Sequence, residues 1–178
     1  MAERNDIEKI RDLIKGIRFA MLTTVDTDGS LRSRPMATQE AEFDGELWFF
    51  TGASSPKVDE VERNHRVNVS YAAPDDNTYV SISGTARMVR DKAKAKELWN
   101  PALKAWFPEG LDDPDLALLC VRVEKAEYWD SPSSKMVQLY GLAKAVLTGK
   151  RADDIGENEK IDLKGSVPEE IPIGVRHD

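Results

Sequence analysis

Phe19-Ala20-Met21-Leu22-Thr23-Thr24-Val25-Asp26-Thr27-Asp28-Gly29, running on into Ser30 to Thr38, decides the fold of this chain. An apolar, β-branched run breaks at Asp-Thr-Asp-Gly, where glycine permits a tight turn, and a second extended run returns, which is a β-hairpin. Upstream, Ile7, Ile10, Ile14 and Ile17 recur at helical spacing, so residues 4–16 read as an amphipathic helix ending at Gly16. Downstream, the turn Phe43-Asp44-Gly45 leads into an aromatic-rich strand over 46–51. At Ser54-Ser55-Pro56-Lys57 a serine cap precedes proline at the first helical position, with Asp59 and Glu60 in the first turn, so a helix runs from there to about Asn64.

Two more strands are predicted over 67–73 and 79–89. In the second, Val80, Ile82, Gly84, Ala86 and Met88 alternate with Tyr79, Ser81, Ser83, Thr85 and Arg87, giving two unlike faces. Residues 91–99 read as a helix, continuing after a break at Pro101 toward Trp106. A loop over 107–113, a long strand over 116–129 and a helix over 131–148 complete the pattern. From Gly149 the chain is polar and broken by glycine and proline, so the division is one domain over 1–149 and a partly ordered tail over 150–178. Short antiparallel strands with helices between them predict a small β-barrel flanked by α-helices; regular βαβ alternation is absent.

With 178 residues, 40% of them hydrophobic, the chain suits one core. Its 25 basic against 32 acidic residues leave a net charge of −7, which argues against a nucleic-acid partner. The longest apolar runs are far shorter than a bilayer span, and no secretory pattern opens the chain, so no membrane partner is expected. The one cysteine, Cys120, sits in an apolar strand as a packed thiol, which points to a reducing, cytoplasmic setting. Familiar ligand motifs fail. Gly52 to Lys57 lacks the second glycine and the hydroxyl of a phosphate loop, and no dinucleotide fingerprint occurs. Pro35 stands where a calcium loop needs glutamate, and His65 and His177 are too far apart for a zinc site, so no metal is expected.

Residues 32–57 carry the chemistry. Arg32, Arg34 and Met36 share one strand face, with Ser33 and Pro35 on the other, and Pro35 cannot donate to a neighbouring strand. The next strand delivers Phe50 and Thr51 to its end, where Ser54, Ser55 and Lys57 meet a helix start. Lysine in a first turn opposes the helix dipole, and a phosphate dianion between Lys57, Arg34 and the nearby hydroxyls would explain it. The residues alone leave open an exposed lysine on a solvated strand. Trp99, Trp106, Phe107 and Trp129 offer either stacking walls for a planar ligand or ordinary packing in a core or dimer interface.

Arg32-Ser33-Arg34-Pro35-Met36, Leu47-Trp48-Phe49-Phe50-Thr51, Ser55-Pro56-Lys57-Val58 and Asn64-His65-Arg66-Val67, in this order, resemble the pyridoxamine 5′-phosphate oxidase-like flavoproteins, and the general stress protein 26 branch in particular. Ala105-Trp106-Phe107-Pro108 and Glu127-Tyr128-Trp129-Asp130 extend the resemblance, which covers about residues 5–149. It implies a split β-barrel of six or so antiparallel strands that binds FMN, or FAD, at a homodimer interface. Arg34 and Lys57, helped by Ser55, would hold the phosphate. Ser33, Pro35 and Met36 would follow the isoalloxazine edge, and Phe50 and Thr51 the ribityl and phosphate region. Tyr79 to Ser81 would approach from the second subunit, and Trp99, Trp106 and Trp129 would wall the pocket. The implied activity is that of an FMN-dependent oxidoreductase of unidentified substrate. Its alternatives are a non-catalytic flavin-binding stress protein or a pyridoxamine or pyridoxal phosphate-binding relative. The C-terminal Trp-x-x-x-Arg-Leu segment of the true oxidases is absent, and Pro56 stands where those enzymes often carry a basic residue.

Overall fold

The hairpin forms where the sequence places it. In a computed structural model, which describes residues 2–39, 43–130 and 157–163, strand β1 (Phe19–Val25) pairs antiparallel with β2 (Leu31–Ala37). Gly29 turns between them at φ 82°, and its N–H reaches the Asp26 carbonyl at 3.0 Å. Helix α1 (Ala2–Ile14) precedes them, followed by the expected turn at Gly16. Strand β3 (Glu46–Gly52), helix α2 (Pro56–Arg63), β4 (Arg66–Ala73), β5 (Thr78–Val89), helix α3 (Lys92–Leu98) and β6 (Leu116–Asp130) follow.

The strands form one antiparallel sheet in the order β2-β1-β4-β5-β6-β3, curled into a half-barrel. Alternation fills the inside. Leu22, Phe49, Val69, Ile82, Leu119 and Val121 meet there, covered by Ile10 of α1 and Val61 of α2. Each such side chain contributes roughly 1.5–3 kcal/mol through burial. On the outer face of β3 and β6, α3 covers a smaller cluster built on Leu118, with Ala95 and Leu98 against Phe50 and Trp48.

Two details sharpen. The break expected at Pro101 is present, since proline lacks an N–H, and Asn100 accepts the Ala102 N–H at 2.9 Å and starts a 3₁₀ turn at Pro101–Ala105 rather than further α-helix. A further strand, β7 (Glu157–Asp162), pairs with β6 from Lys125↔Asp162 to Asp130↔Glu157, within the stretch read as a polar tail. Five of its six residues are exposed, which hides it from any apolar pattern; Ile161 and the following Leu163 alone enter the core. Lys9 of α1 ties its start through Glu157 at 3.0 Å. The helix expected over 131–148 lies outside the described residues.

The β5–β6 ladder shifts register at Ser83/Gly84. A Cβ on Gly84 would land on the Arg122 carbonyl oxygen and within 3.3 Å of the Val123 Cα, both backbone atoms in a central pair of strands. Gly84→Ala is therefore expected to cost about 1–3 kcal/mol. Urea unfolding checks this: the midpoint falls at unchanged slope, whereas an unmoved midpoint contradicts the close approach.

Candidate functional site

On β2 the inward positions are Arg32, Arg34 and Met36, and only Met36 is fully committed to the core. Arg34 stands opposite Leu22 on the neighbouring strand, and α2 packs across β1 and β5. That helix buries Val58 and Val61 and, between them, the carboxylate of Glu60, which is 4% exposed. A buried carboxylate needs partners that replace water. Arg34 donates from Nη2 to Glu60 Oε2 at 2.7 Å and from Nη1 to Thr24 Oγ1 at 2.6 Å, while the Thr24 hydroxyl donates to the same carboxylate oxygen. Arg32 lies 3.5 Å from Glu60 Oε1 and 3.1 Å from Asp26.

Lys57 enters this corner from the first turn of α2. Ser55 caps the helix with extended backbone, but its side chain makes no cap bond and instead accepts from Lys57 Nζ at 2.5 Å. The approach to the cap is held by Asp115, whose backbone carbonyl takes the Ala53 N–H at 2.7 Å and whose carboxylate takes the Ser54 N–H at 2.8 Å. Those Ser54 hydrogen bonds, with Arg90 and Lys57 nearby, hold the Asp115 carboxyl below the usual range. Burial pushes the Lys57 amine down, and the Arg34 guanidinium pushes it further, against the opposing pull of Glu60 and Asp115. Two cations are thus crowded into one half-buried corner beside a helix start without a side-chain cap. An anion would relieve the repulsion and sit at the positive end of the helix.

The remaining candidates sort onto different surfaces. Thr51 is buried on the inner face at the end of β3. Phe50 points to the outer face and meets Trp99 edge-on at 5.9 Å and Phe107 at 6.4 Å. Ser54 is exposed beside Asp115, and Trp106 is exposed. Ser33, Pro35, Tyr79, Ser81 and Trp129 lie on the sheet's outer face. There Pro35, Met21, Ser70, Ser81 and Glu127 form one row across five strands, and Tyr79 faces Trp129 in the next. Hydroxyls and an amide link up across it: Ser33 with Thr23 at 2.7 Å, and Asn68 with Ser81 at 2.9 Å and Ser70 at 2.8 Å. Phe19, Met21, Tyr79 and Trp129 are large, apolar and exposed on that same face.

The structure therefore brings Arg34, Lys57 and Ser55 together, as the sequence predicts, with Arg32 at the edge. It does not unite the tryptophans within one chain, because Trp99 meets Phe50, which pairs with Leu118 near the start of β6, while Trp129 stands at the far end of that strand. Sequence reasoning passes over Thr24, Glu60 and Asp115. The spacing Lys57-x-x-Glu60 is the available signal, since it puts both charges on one side of α2.

Comparison with known proteins agrees with this architecture. The family described as pyridoxamine 5′-phosphate oxidase like matches residues 5–153. Protein bli-3 of Neurospora crassa is 33% identical over 158 residues, spanning 82% of this chain and 76% of that protein. The general stress FMN/FAD binding protein of Xanthomonas citri is 32% identical, with a TM-score of 0.61 over 71% of this chain and 89% of its own. General Stress Protein 26 of Bacillus anthracis str. Sterne is 28% identical, with a TM-score of 0.62 over 70% and 93%.

The electrostatics of Lys57 have a stability consequence. Its folded pKa is lowered, so the charged amine disfavours the folded state at pH below that pKa, and the penalty fades as pH rises to the ordinary lysine value. Lys57→Met is expected to raise the thermal midpoint of the ligand-free protein at neutral pH, with the gain shrinking at alkaline pH. A variant that melts below the wild type at both pH values contradicts the crowding.

Proposed function

The chain belongs to the pyridoxamine 5′-phosphate oxidase-like family, and from that premise we propose that it binds FMN, with the phosphate seated between Arg34 and Lys57. The observation that carries this reading is the crowding of those two cations in a half-buried corner at the start of α2. FMN pairs a phosphate near −2 with a polar ribityl chain and a flat apolar ring. Arg34, Lys57 and the Ser55 hydroxyl would hold the phosphate, with the positive end of the helix dipole behind them. The Ser33, Pro35 and Met36 backbone would follow the ring edge, and Thr51 stands at the ribityl end. FAD contains the same portion, so the anchor would accept it too.

Bound flavin supplies hydride or electron transfer, and the protein's part is to hold and orient it. The reading is an FMN-dependent oxidoreductase in the cytoplasm, where the chain's one cysteine, the buried Cys120, stays reduced. Titrating purified protein with FMN tests the cofactor: saturable binding is expected, with Lys57→Ala or Arg34→Ala weakening it by about 1.5–3 kcal/mol each. A wild type that binds no FMN, or one that prefers pyridoxal phosphate, contradicts the assignment. Adding NADH or NADPH anaerobically to the same sample should bleach the flavin; persistent colour would mark a non-catalytic flavin holder.

A second copy of the chain completes the site in this reading. Its outer sheet face would supply Tyr79, Ser81 and Trp129, and the exposed Phe19, Met21, Tyr79 and Trp129 give that face the apolar content of a dimer interface. Met21→Glu is expected to shift sedimentation from dimer to monomer. A wild type that sediments as a monomer at micromolar concentration and above rejects the pairing.

A further inference from the structure

The buried carboxylate of Glu60 sits where an anion site least needs negative charge. Any role for it has to outweigh the attraction it cancels. Arg34 carries five N–H donors. One on Nη2 is used by Glu60 and one on Nη1 by Thr24, on the buried side of the guanidinium. Its side chain remains 21% exposed and its charge is felt by Lys57, so the guanidinium keeps further donors while two are held by Glu60 and Thr24. Glu60 has no freedom to turn toward an incoming anion. Its Oε2 accepts from both Arg34 and Thr24, its Oε1 faces Arg32, and Val58 and Val61 bury the helix side that carries it. The carboxylate is therefore a fixed point, tied to α2 and β1, against which a flexible arginine on the edge strand β2 is braced.

We infer that Glu60 is a positioning residue for the phosphate anchor: through Thr24 and its own carboxylate it locks the Arg34 fork before the ligand arrives, and so sets the preference for the phosphorylated flavin. The inference rests on the FMN reading above and assigns Glu60 no contact with the ligand. An unbraced arginine must lose rotamer freedom on binding, while a braced one has already lost it. The gain applies only to a ligand with a phosphate. Riboflavin, which has the same ring and ribityl chain but no phosphate, is indifferent to the brace.

The ratio of FMN to riboflavin affinity, measured by flavin fluorescence quenching on the full chain, isolates this effect. Glu60→Ala is expected to reduce the ratio about tenfold, as Arg34→Ala does, and the double variant should lose no more than Arg34→Ala alone within about twofold. Glu60→Gln retains an acceptor for Arg34 and removes the charge, so it should keep the ratio within about threefold or raise it. Thr24→Val, which preserves shape in the core, should reduce the ratio about threefold and serves where Glu60→Ala does not fold. Equal weakening of FMN and riboflavin in Glu60→Ala, or an unchanged ratio in Thr24→Val, assigns these residues to stability alone and overturns the inference. A collapse in Glu60→Gln as deep as in Glu60→Ala overturns it as well, because charge rather than geometry would then be at work. Wild-type protein that binds neither flavin overturns the FMN reading and this inference together. Wild-type preference for FMN that survives in Glu60→Ala overturns the inference alone.

Discussion

The salt bridge between Arg34 and the buried Glu60 connects the parts of this molecule that matter for its chemistry. It joins the edge strand β2 to helix α2, and Thr24 of β1 closes the triangle. An ion pair of this kind does not add much net stability, since desolvating both groups offsets most of their attraction. Its effect is on placement. Breaking one partner leaves an uncompensated charge in the half-barrel, so helix and strand hold one fixed relation.

Around that fixed relation the site is electrostatically strained. Lys57 is pushed from its ordinary behaviour by burial and by Arg34 alike. Such crowding disfavours the ligand-free fold and favours an anion, the usual trade between stability and function at a binding site. Asp115 limits the strain by anchoring the Ser54 N–H and lending a negative charge from the far flank. The cradle thus combines cations, hydroxyls and a helix start in one corner, while the sheet's opposite face carries exposed aromatic groups and hydroxyls.

Much of this was legible in the residues. The Asp26-to-Gly29 turn fixes β1 and β2, alternation along β5 fixes which face is buried, and Ser55-Pro56 marks the start of α2 to the residue. Arg34 and Lys57 could be paired because strand parity and helix position both point them at the same end. What escaped was set by tertiary contact. Glu60 in a first turn reads as a dipole partner facing water, and only the packing of α2 on β1 reveals that it is buried. Strand β7 escaped because one edge pairing and Ile161 suffice to hold a sequence that is otherwise exposed. The tryptophans could not be placed by spacing, since β6 carries Trp129 to the end away from Trp99.

In the proposed complex a doubly charged phosphate lies against one guanidinium, that of Arg34, and one ammonium, that of Lys57. Phosphorus NMR of FMN bound to the wild-type protein, followed across pH, addresses it directly. Free phosphomonoester takes up its second proton at a pKa of about 6. In the Arg34–Lys57 corner the bound resonance should stay at its dianion position from about pH 8 down past pH 5.5, because both neighbours favour the charged form. A bound signal that titrates near pH 6 as free FMN does would mean that the phosphate lies in open water, and the account would fail.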